Sequence, residues 1–145
     1  MKALLQRVKQ AAVHVDGQCV GEIKQGLLVF LGVEKTDDVL LSAKLVDKVL
    51  AYRVFADEKG RMNLSLKDIA GELLVVSQFT LVADTRKGLR PSFSSAGLPN
   101  ESFNLYSSFI ELVQKQGVRV RSGQFGADMQ VSLVNDGPVT FLLSV

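Results

Sequence analysis

Residues 2–15 alternate loosely between apolar and polar side chains and run directly into Asp16-Gly17. Asp-Gly between alternating segments is a strong local signal for a two-residue β-hairpin, because the tight turn needs positive φ, which these residues tolerate at low cost. The chain therefore opens as antiparallel β structure, with a returning strand over residues 18–23. A second turn, Lys24-Gln25-Gly26, leads into the apolar run Gly26-Leu27-Leu28-Val29-Phe30-Leu31-Gly32-Val33. This run reads as a buried third strand that completes an antiparallel meander. It is far shorter than the roughly 20 residues a membrane-spanning helix requires.

Thr36 is placed to cap a helix, with Asp37 and Asp38 at the positive end of its dipole. Val39, Ala43, Val46, Val49 and Leu50 recur at helical spacing, so one face packs on the sheet as far as Ala51. Residues 52–56 read as a short strand, and Asp57-Glu58-Lys59-Gly60 as its turn, with Met62 and Leu64 facing inward from the return segment. Leu73-Leu74-Val75-Val76 forms another buried strand. Residues 83–99 mix glycine, proline and serine without periodicity, and irregular stretches of this length in compact domains commonly carry function. Asn100, after Pro99, caps a second helix with Phe103, Tyr106, Ile110 and Val113 on its apolar face and Gly117 at its stop. Residues 118–121 form a short strand. Two further strands, 129–134 and 139–145, are joined by the turn Asn135-Asp136-Gly137-Pro138. The expected fold is a single domain over residues 1–145, mixed α and β, in three β/β/α layers: mostly antiparallel hairpins plus two helices packed on the sheet.

A chain of 145 residues, 47% hydrophobic and 22% charged, buries an adequate core without a metal or disulfide. Its net charge of +2 neither demands nor excludes nucleic acid. Cys19 is the only cysteine, which leaves no intramolecular disulfide and no cysteine-based zinc site. Its neighbours Val20 and Gly21 place it as a small buried residue rather than a reactive thiol. HExxH, CxxC, GxGxxG and Walker-type sequences are absent, so neither a metal nor a cofactor is expected. The N-terminus, with Lys2, Arg7 and Lys9 in an alternating pattern, lacks a signal-peptide core, and the reading is a cytoplasmic protein without a membrane span. His14, the only histidine, lies between Val13 and Val15 and reads as a structural strand residue. Asp57 and Glu58 read as solvated turn carboxylates.

Four motifs carry the chemistry. Ser77-Gln78-Phe79-Thr80-Leu81 ends the apolar run 73–76 with amide and hydroxyl groups. Strand alternation puts Gln78 and Thr80 on one face and Ser77, Phe79 and Leu81 on the other. Buried polar groups of this kind need partners, since an unpaired one costs ~1–3 kcal/mol; the same pattern also fits a strand's wet end. Lys87-Gly88-Leu89-Arg90-Pro91-Ser92-Phe93 is a basic loop that either solvates its charge or holds phosphates. Gly123-Gln124-Phe125-Gly126-Ala127-Asp128-Met129 and Asn135-Asp136-Gly137-Pro138-Val139-Thr140 complete the set.

Taken together, these four motifs resemble the D-aminoacyl-tRNA deacylase family across the whole chain, and the opening Met1-Lys2-Ala3-Leu4-Leu5-Gln6-Arg7-Val8 resembles its N-terminus. The resemblance implies a homodimeric enzyme that hydrolyses the ester between a D-amino acid and the 3′ end of tRNA, and also removes glycine mischarged on alanine tRNA. It further implies a cis Gly137-Pro138 bond that reaches into the partner subunit's pocket, so that the active site lies at the subunit interface. The carbonyls of this dipeptide hold the substrate's amino group and its bulk excludes L side chains, while Arg7 steadies it. Thr80 is the obvious nucleophile, yet no base lies near it in sequence. We therefore expect backbone N–H groups around Phe79 and Thr80 to hold the oxyanion, with the substrate's 2′-OH assisting water. Gln78 and Ser77 order the strand end, Phe125 and Met129 line the adenosine and aminoacyl pocket, and Lys87 and Arg90 meet tRNA phosphates. Two other readings remain open: a nucleic-acid-binding module without hydrolysis, and an esterase that uses Thr80 with a distant base.

Overall fold

A computed structural model describes all of residues 1–145. Eight strands and two α-helices follow in the order β1 (Lys2–Val15), β2 (Gln18–Ile23), β3 (Gly26–Gly32), α1 (Val39–Ala51), β4 (Phe55–Ala56), β5 (Met62–Leu64), β6 (Glu72–Ser77), α2 (Pro99–Lys115), β7 (Val120–Ser122) and β8 (Gln130–Ser144). A single 3-10 turn, Phe79–Val82, follows β6.

β1 is the spine of the sheet. It pairs antiparallel with β3 from Lys2↔Gly32 to Val8↔Gly26, and further along with β2 from Ala11↔Ile23 to Val15↔Gln18. β8 runs along it from Lys2↔Ser144 to His14↔Gln130. The expected meander therefore does not form, because β3 returns to β1 rather than to β2. The reason is length: β2 covers only the far end of β1 and leaves the near end for β3. β3 and β6 then pair in parallel, as do β6 and β7. Parallel neighbours need crossovers, and the segments containing α1 and α2 supply them.

Alternate residues of β3 and β6 face two cores. Leu27, Val29, Leu73 and Val75 pack with Leu45 and Val49 of α1 and with Tyr106 and Phe109 of α2. Leu28, Leu74 and Val76 face the opposite way, onto Val8, Ala11, Val13 and Ile23, where β1 and β2 fold back over the sheet. Gly21 shows how tightly that layer lies, since a Cβ there would sit 2.6 Å from the Ser122 carbonyl oxygen of β7. The three layers are those expected, β/β/α. They also explain the unbroken apolar runs, because a strand covered on both faces shows no polar alternation.

Several local expectations are corrected. Asp38, not Thr36, caps α1, its side chain accepting the Leu41 N–H at 2.8 Å. Asp37 is occupied elsewhere, by the Met1 ammonium and by the Glu34 N–H. Pro99 takes the first position of α2 after Leu98, which places Asn100 inside the helix. A proline suits that position because its missing N–H has no intrahelical acceptor there. Phe103 is half exposed, Met62 points outward at 50% exposure and Val39 is exposed. Cys19 is exposed too, on the part of β2 that extends past the core.

The largest correction concerns Asn135-Asp136-Gly137-Pro138. It does not turn between two strands; β8 passes through it as one strand still paired to β1 on both sides. Gln6 faces Thr140 and Val8 faces Asn135, so residues 136–139 stand opposite Arg7 alone. Surplus residues within a ladder must bulge out of it.

Candidate functional site

β6 ends at Ser77, where its ladder with β3 stops: Leu31↔Ser77 is the last pair, and the Gln78 N–H donates to the Leu31 carbonyl at 2.8 Å. Beyond that point the backbone bonds to itself, Leu81 N–H to Gln78 O and Ala83 N–H to Thr80 O, both at 3.2 Å. The strand alternation expected over 77–81 therefore stops at Ser77. A short helical turn leaves its leading N–H groups without partners. Here those are the Phe79 and Thr80 amides, which find no acceptor within the chain.

Beside this turn lies a cleft of about 550 Å³. Ser77, Gln78 and Phe79 form one wall, Phe125 and Met129 a second, and Ala96 and Gly97 a third. Tyr106 joins the first two walls. Its hydroxyl, buried beneath the cleft, donates to the Val75 carbonyl at 2.9 Å, with the Gly123 carbonyl at 3.4 Å, and the Gly123 N–H returns to Val75 O at 2.9 Å. Burial pushes its phenol up to about 12, since the phenolate is poorly solvated there. The Phe125 ring packs on Tyr106 and Phe103, with centroids 5.7 and 5.4 Å away. A Cβ at Gly123 would lie 2.6 Å from Met129 Sδ, so this glycine lets the segment close against its own methionine.

Thr80 stands at the rim, exposed, its Oγ1 accepting from Gln78 Nε2 at 2.6 Å. No carboxylate, imidazole or amine is hydrogen-bonded to that hydroxyl. Asp128 is the only charged residue lining an otherwise neutral cleft. No group of three or more His, Cys, Asp or Glu side chains gathers to hold a metal, and no helix is long and apolar enough to cross a membrane.

The basic loop begins at the same rim. Asp84 and Ser92 bridge its neck with reciprocal backbone bonds of 2.8 and 3.0 Å. Arg86 grips Asp84 through Nε at 2.9 Å and Nη2 at 2.7 Å, which holds the Asp84 carboxyl well below the usual range. Lys87 and Arg90 lie exposed at the tip with no ion pair and do not line the cleft. Phe93 returns the loop onto Phe79, with ring centroids 5.0 Å apart.

Gly137 and Pro138 are also exposed and do not line the cleft of their own chain. The bond between them is cis, and Gly137 has φ +138. Arg7 reaches the bulge from β1, Nε donating to the Asp136 carbonyl at 2.9 Å, while Nη1 donates to the Val54 carbonyl at 2.6 Å. Among the residues singled out from sequence, the fold thus gathers Ser77, Gln78, Phe79, Phe125 and Met129 in one cleft with Thr80 on its rim. Arg7, Gly137 and Pro138 stand apart as a second feature. Sequence reasoning placed Tyr106 in the core without seeing its tethering role. The available signal was a tyrosine on an apolar helix face, whose hydroxyl must find a partner when buried. Ala96 and Gly97 carried no such signal.

A family model described as D-Tyr-tRNA(Tyr) deacylase matches residues 4–144. Curated relatives described as D-aminoacyl-tRNA deacylase include one from Shewanella loihica, 62% identical, and one from Pseudoalteromonas translucida, 60% identical, each aligned over 100% of both chains. A solved structure described as c-Myc DNA Unwinding Element Binding Protein is 39% identical with a TM-score of 0.95, covering 100% of this chain and 99% of that one. A second, described as a probable eukaryotic D-amino acid tRNA deacylase, is 19% identical with a TM-score of 0.86, covering 99% and 98%, and shows the shared fold.

Proposed function

The chain belongs to the D-Tyr-tRNA(Tyr) deacylase family and is a hydrolase of that family, and from that premise we propose that the cleft beside Ser77–Phe79 hydrolyses the ester of D-aminoacyl-tRNA. Water adds to the ester carbonyl, the bond from that carbon to the ribose 3′ oxygen breaks, and a proton passes to the 3′ oxygen. Free D-amino acid and reusable tRNA leave. The observation that carries this reading is the pair of unpartnered Phe79 and Thr80 amides beside a cleft whose only charged lining residue is Asp128. Preorganised N–H donors stabilise the charge that develops on an ester oxygen. The Thr80 hydroxyl has only an amide donor as partner and no base, which favours backbone stabilisation over a threonine nucleophile. The substrate's own 2′-OH then positions or deprotonates the water.

Chirality enters through Gly137-Pro138. These residues are exposed and do not line their own cleft, so in this reading they enter the cleft of a second copy and the active site forms at the interface of a homodimer. Their carbonyls receive the substrate's amino group and rigid backbone leaves no room for an L side chain, so D esters are accepted by rejection of the alternative. Glycine has no side chain to clash, and glycyl-tRNA mischarged on alanine tRNA is a second substrate. The unpaired Lys87 and Arg90 at the loop tip meet tRNA phosphates. The setting for this proofreading step of translation is the cytoplasm.

The test is deacylation of matched D- and L-tyrosyl-tRNA by purified protein, with glycyl-tRNA as a third substrate. D-tyrosyl-tRNA is expected to react roughly a hundredfold faster than L, and glycyl-tRNA to be turned over. Equal rates for D and L end the chirality reading. A tRNA ending in 2′-deoxyadenosine is expected to react poorly, and its normal turnover removes substrate assistance. The 39% identical structure described as a DNA-element binding protein favours one second reading, a nucleic-acid-binding module. Retention of nucleic acid without ester hydrolysis would establish it.

A further inference from the structure

β8 carries its bulge on a neck of side-chain hydrogen bonds that the functional reading has not used. Asn135 Oδ1 accepts the Val139 N–H at 2.9 Å, and Asn135 Nδ2 donates to Thr140 Oγ1 at 3.0 Å. Gln6 Nε2, from the facing strand, donates to the same Thr140 Oγ1 at 3.2 Å. A backbone N–H can only donate, so the Val139 contact determines which end of the Asn135 amide is oxygen. The nitrogen must then face Thr140, whose oxygen uses both lone pairs as acceptor. The donors and acceptors thus form one consistent chain from β1 through Thr140 and Asn135 to the base of the bulge.

This chain sits where the ladder is least constrained. Ladder pairing resumes at Val8↔Asn135 on one side and Gln6↔Thr140 on the other, and four residues span a gap that a regular strand would cross with one. Arg7 holds only the first of them, through the Asp136 carbonyl. The Val139 side chain packs on the main core, but the side-chain hydrogen bonds to the return limb come from Asn135 and, through Thr140, from Gln6 of β1. Without that closure the bulge pivots about Arg7, and Gly137-Pro138 loses its direction while β1 and β8 stay paired.

We infer that Gln6, Thr140 and Asn135 form a positioning clamp that aims the Gly137-Pro138 segment, and so set the D-over-L selectivity of the enzyme rather than its fold. This inference rests on the reading that the segment completes the cleft of a second copy. None of the three residues lines the cleft, so they act as positioning residues. Thr140 lies exposed on β8, and its removal costs no core packing.

The experiment compares Thr140→Val, which keeps shape and loses the acceptor, with Thr140→Ser, which keeps the acceptor. Gln6→Ala is the second variant, because it leaves β8 chemically intact. Each is assayed on D- and L-tyrosyl-tRNA and melted by circular dichroism. Thr140→Val and Gln6→Ala are expected to lower D-tyrosyl-tRNA kcat/KM about tenfold, since misplacement of a remote group by about 1 Å is expensive in rate. They are also expected to narrow the D:L ratio, with melting temperatures within about 3 °C of wild type. Thr140→Ser is expected to restore both. Wild-type rates and D:L ratio in Thr140→Val and Gln6→Ala would overturn the clamp while leaving the deacylase reading intact. So would losses matched by an equal loss of folded protein. A wild-type protein that fails to discriminate D from L would instead overturn the functional reading, and the clamp with it.

Discussion

Two interruptions of β structure, the turn after β6 and the bulge in β8, solve opposite problems. After Ser77 the ladder with β3 stops, and the chain coils into a turn whose leading amides stay unspent beside a cleft. In β8 the partner never runs out, and the surplus residues are pushed outward and then tied by Arg7 and Asn135. One region is concave and keeps free hydrogen-bonding capacity. The other is convex and spends its side-chain capacity on holding its own shape. In the proposed dimer these would be the receptor and the element inserted into it, and within a single chain the two lie apart.

The comparison can be broken most severely at Gly137. A Cβ there would lie 2.7 Å from Val139 Cγ2 and 3.1 Å from Arg7 Nη2, at a φ of +138 that L side chains rarely adopt. Gly137→Val is expected to lower D-tyrosyl-tRNA deacylation at least about a hundredfold, read as kcat/KM, while the exposed site leaves the circular dichroism spectrum unchanged. Undiminished activity would mean that the bulge has no part in the site. Arg7→Ala removes the hydrogen bonds to Asp136 O and Val54 O from a mostly buried side chain. The expected loss is about ten- to thirtyfold in kcat/KM, together with ~1–3 kcal/mol of stability by urea unfolding for the acceptors left behind.

On the receptor side, Tyr106 gives a pH-dependent test. Its phenol is raised by burial from 10.0 to about 12, so the folded protein keeps a proton that the unfolded chain releases. This contribution is complete below about pH 10 and is lost as pH rises toward about 12. Over that window wild type is expected to lose roughly 2 kcal/mol more than Tyr106→Phe, which has no phenol to ionise. Parallel urea midpoints of the two proteins between about pH 10 and 12 would show that the hydroxyl is not held as described. The smallest effect is expected from Thr80→Ala. If its amide matters and its hydroxyl does not, deacylation falls less than about fivefold; a collapse of several orders of magnitude would identify Thr80 as the nucleophile.

Much of this was legible from residue order. Asp16-Gly17 marked the hairpin and the helical spacing marked α1 and α2, because both signals act over a few residues. Leu27–Leu31 and Leu73–Val76 were recognisable as strands buried on both faces. Ser77, Gln78, Phe79, Phe125 and Met129 were named as one site through motifs, and they do line one cleft. Local pattern misled where a distant partner decided the outcome. Thr36 is not the cap because α1 begins only at Val39, where Asp38 accepts the Leu41 N–H, while Asp37 binds Met1 instead. Asn135-Asp136-Gly137-Pro138 has ideal turn composition, yet β1 pairs with both of its flanks and prevents the chain from reversing.

What the sequence determined by itself is the family, the alternation of buried strands with amphipathic helices, and the residue types available to the site. Periodicity and turn chemistry are properties of neighbours along the chain, and they survive being read one segment at a time. Only the tertiary structure decided that β6 would stop one residue before Gln78, and that surplus residues in β8 would bulge rather than turn. Both outcomes depend on where pairing with another strand stops or continues. A hydrogen-bonded ladder belongs to two segments at once, and neither one records its partner's length.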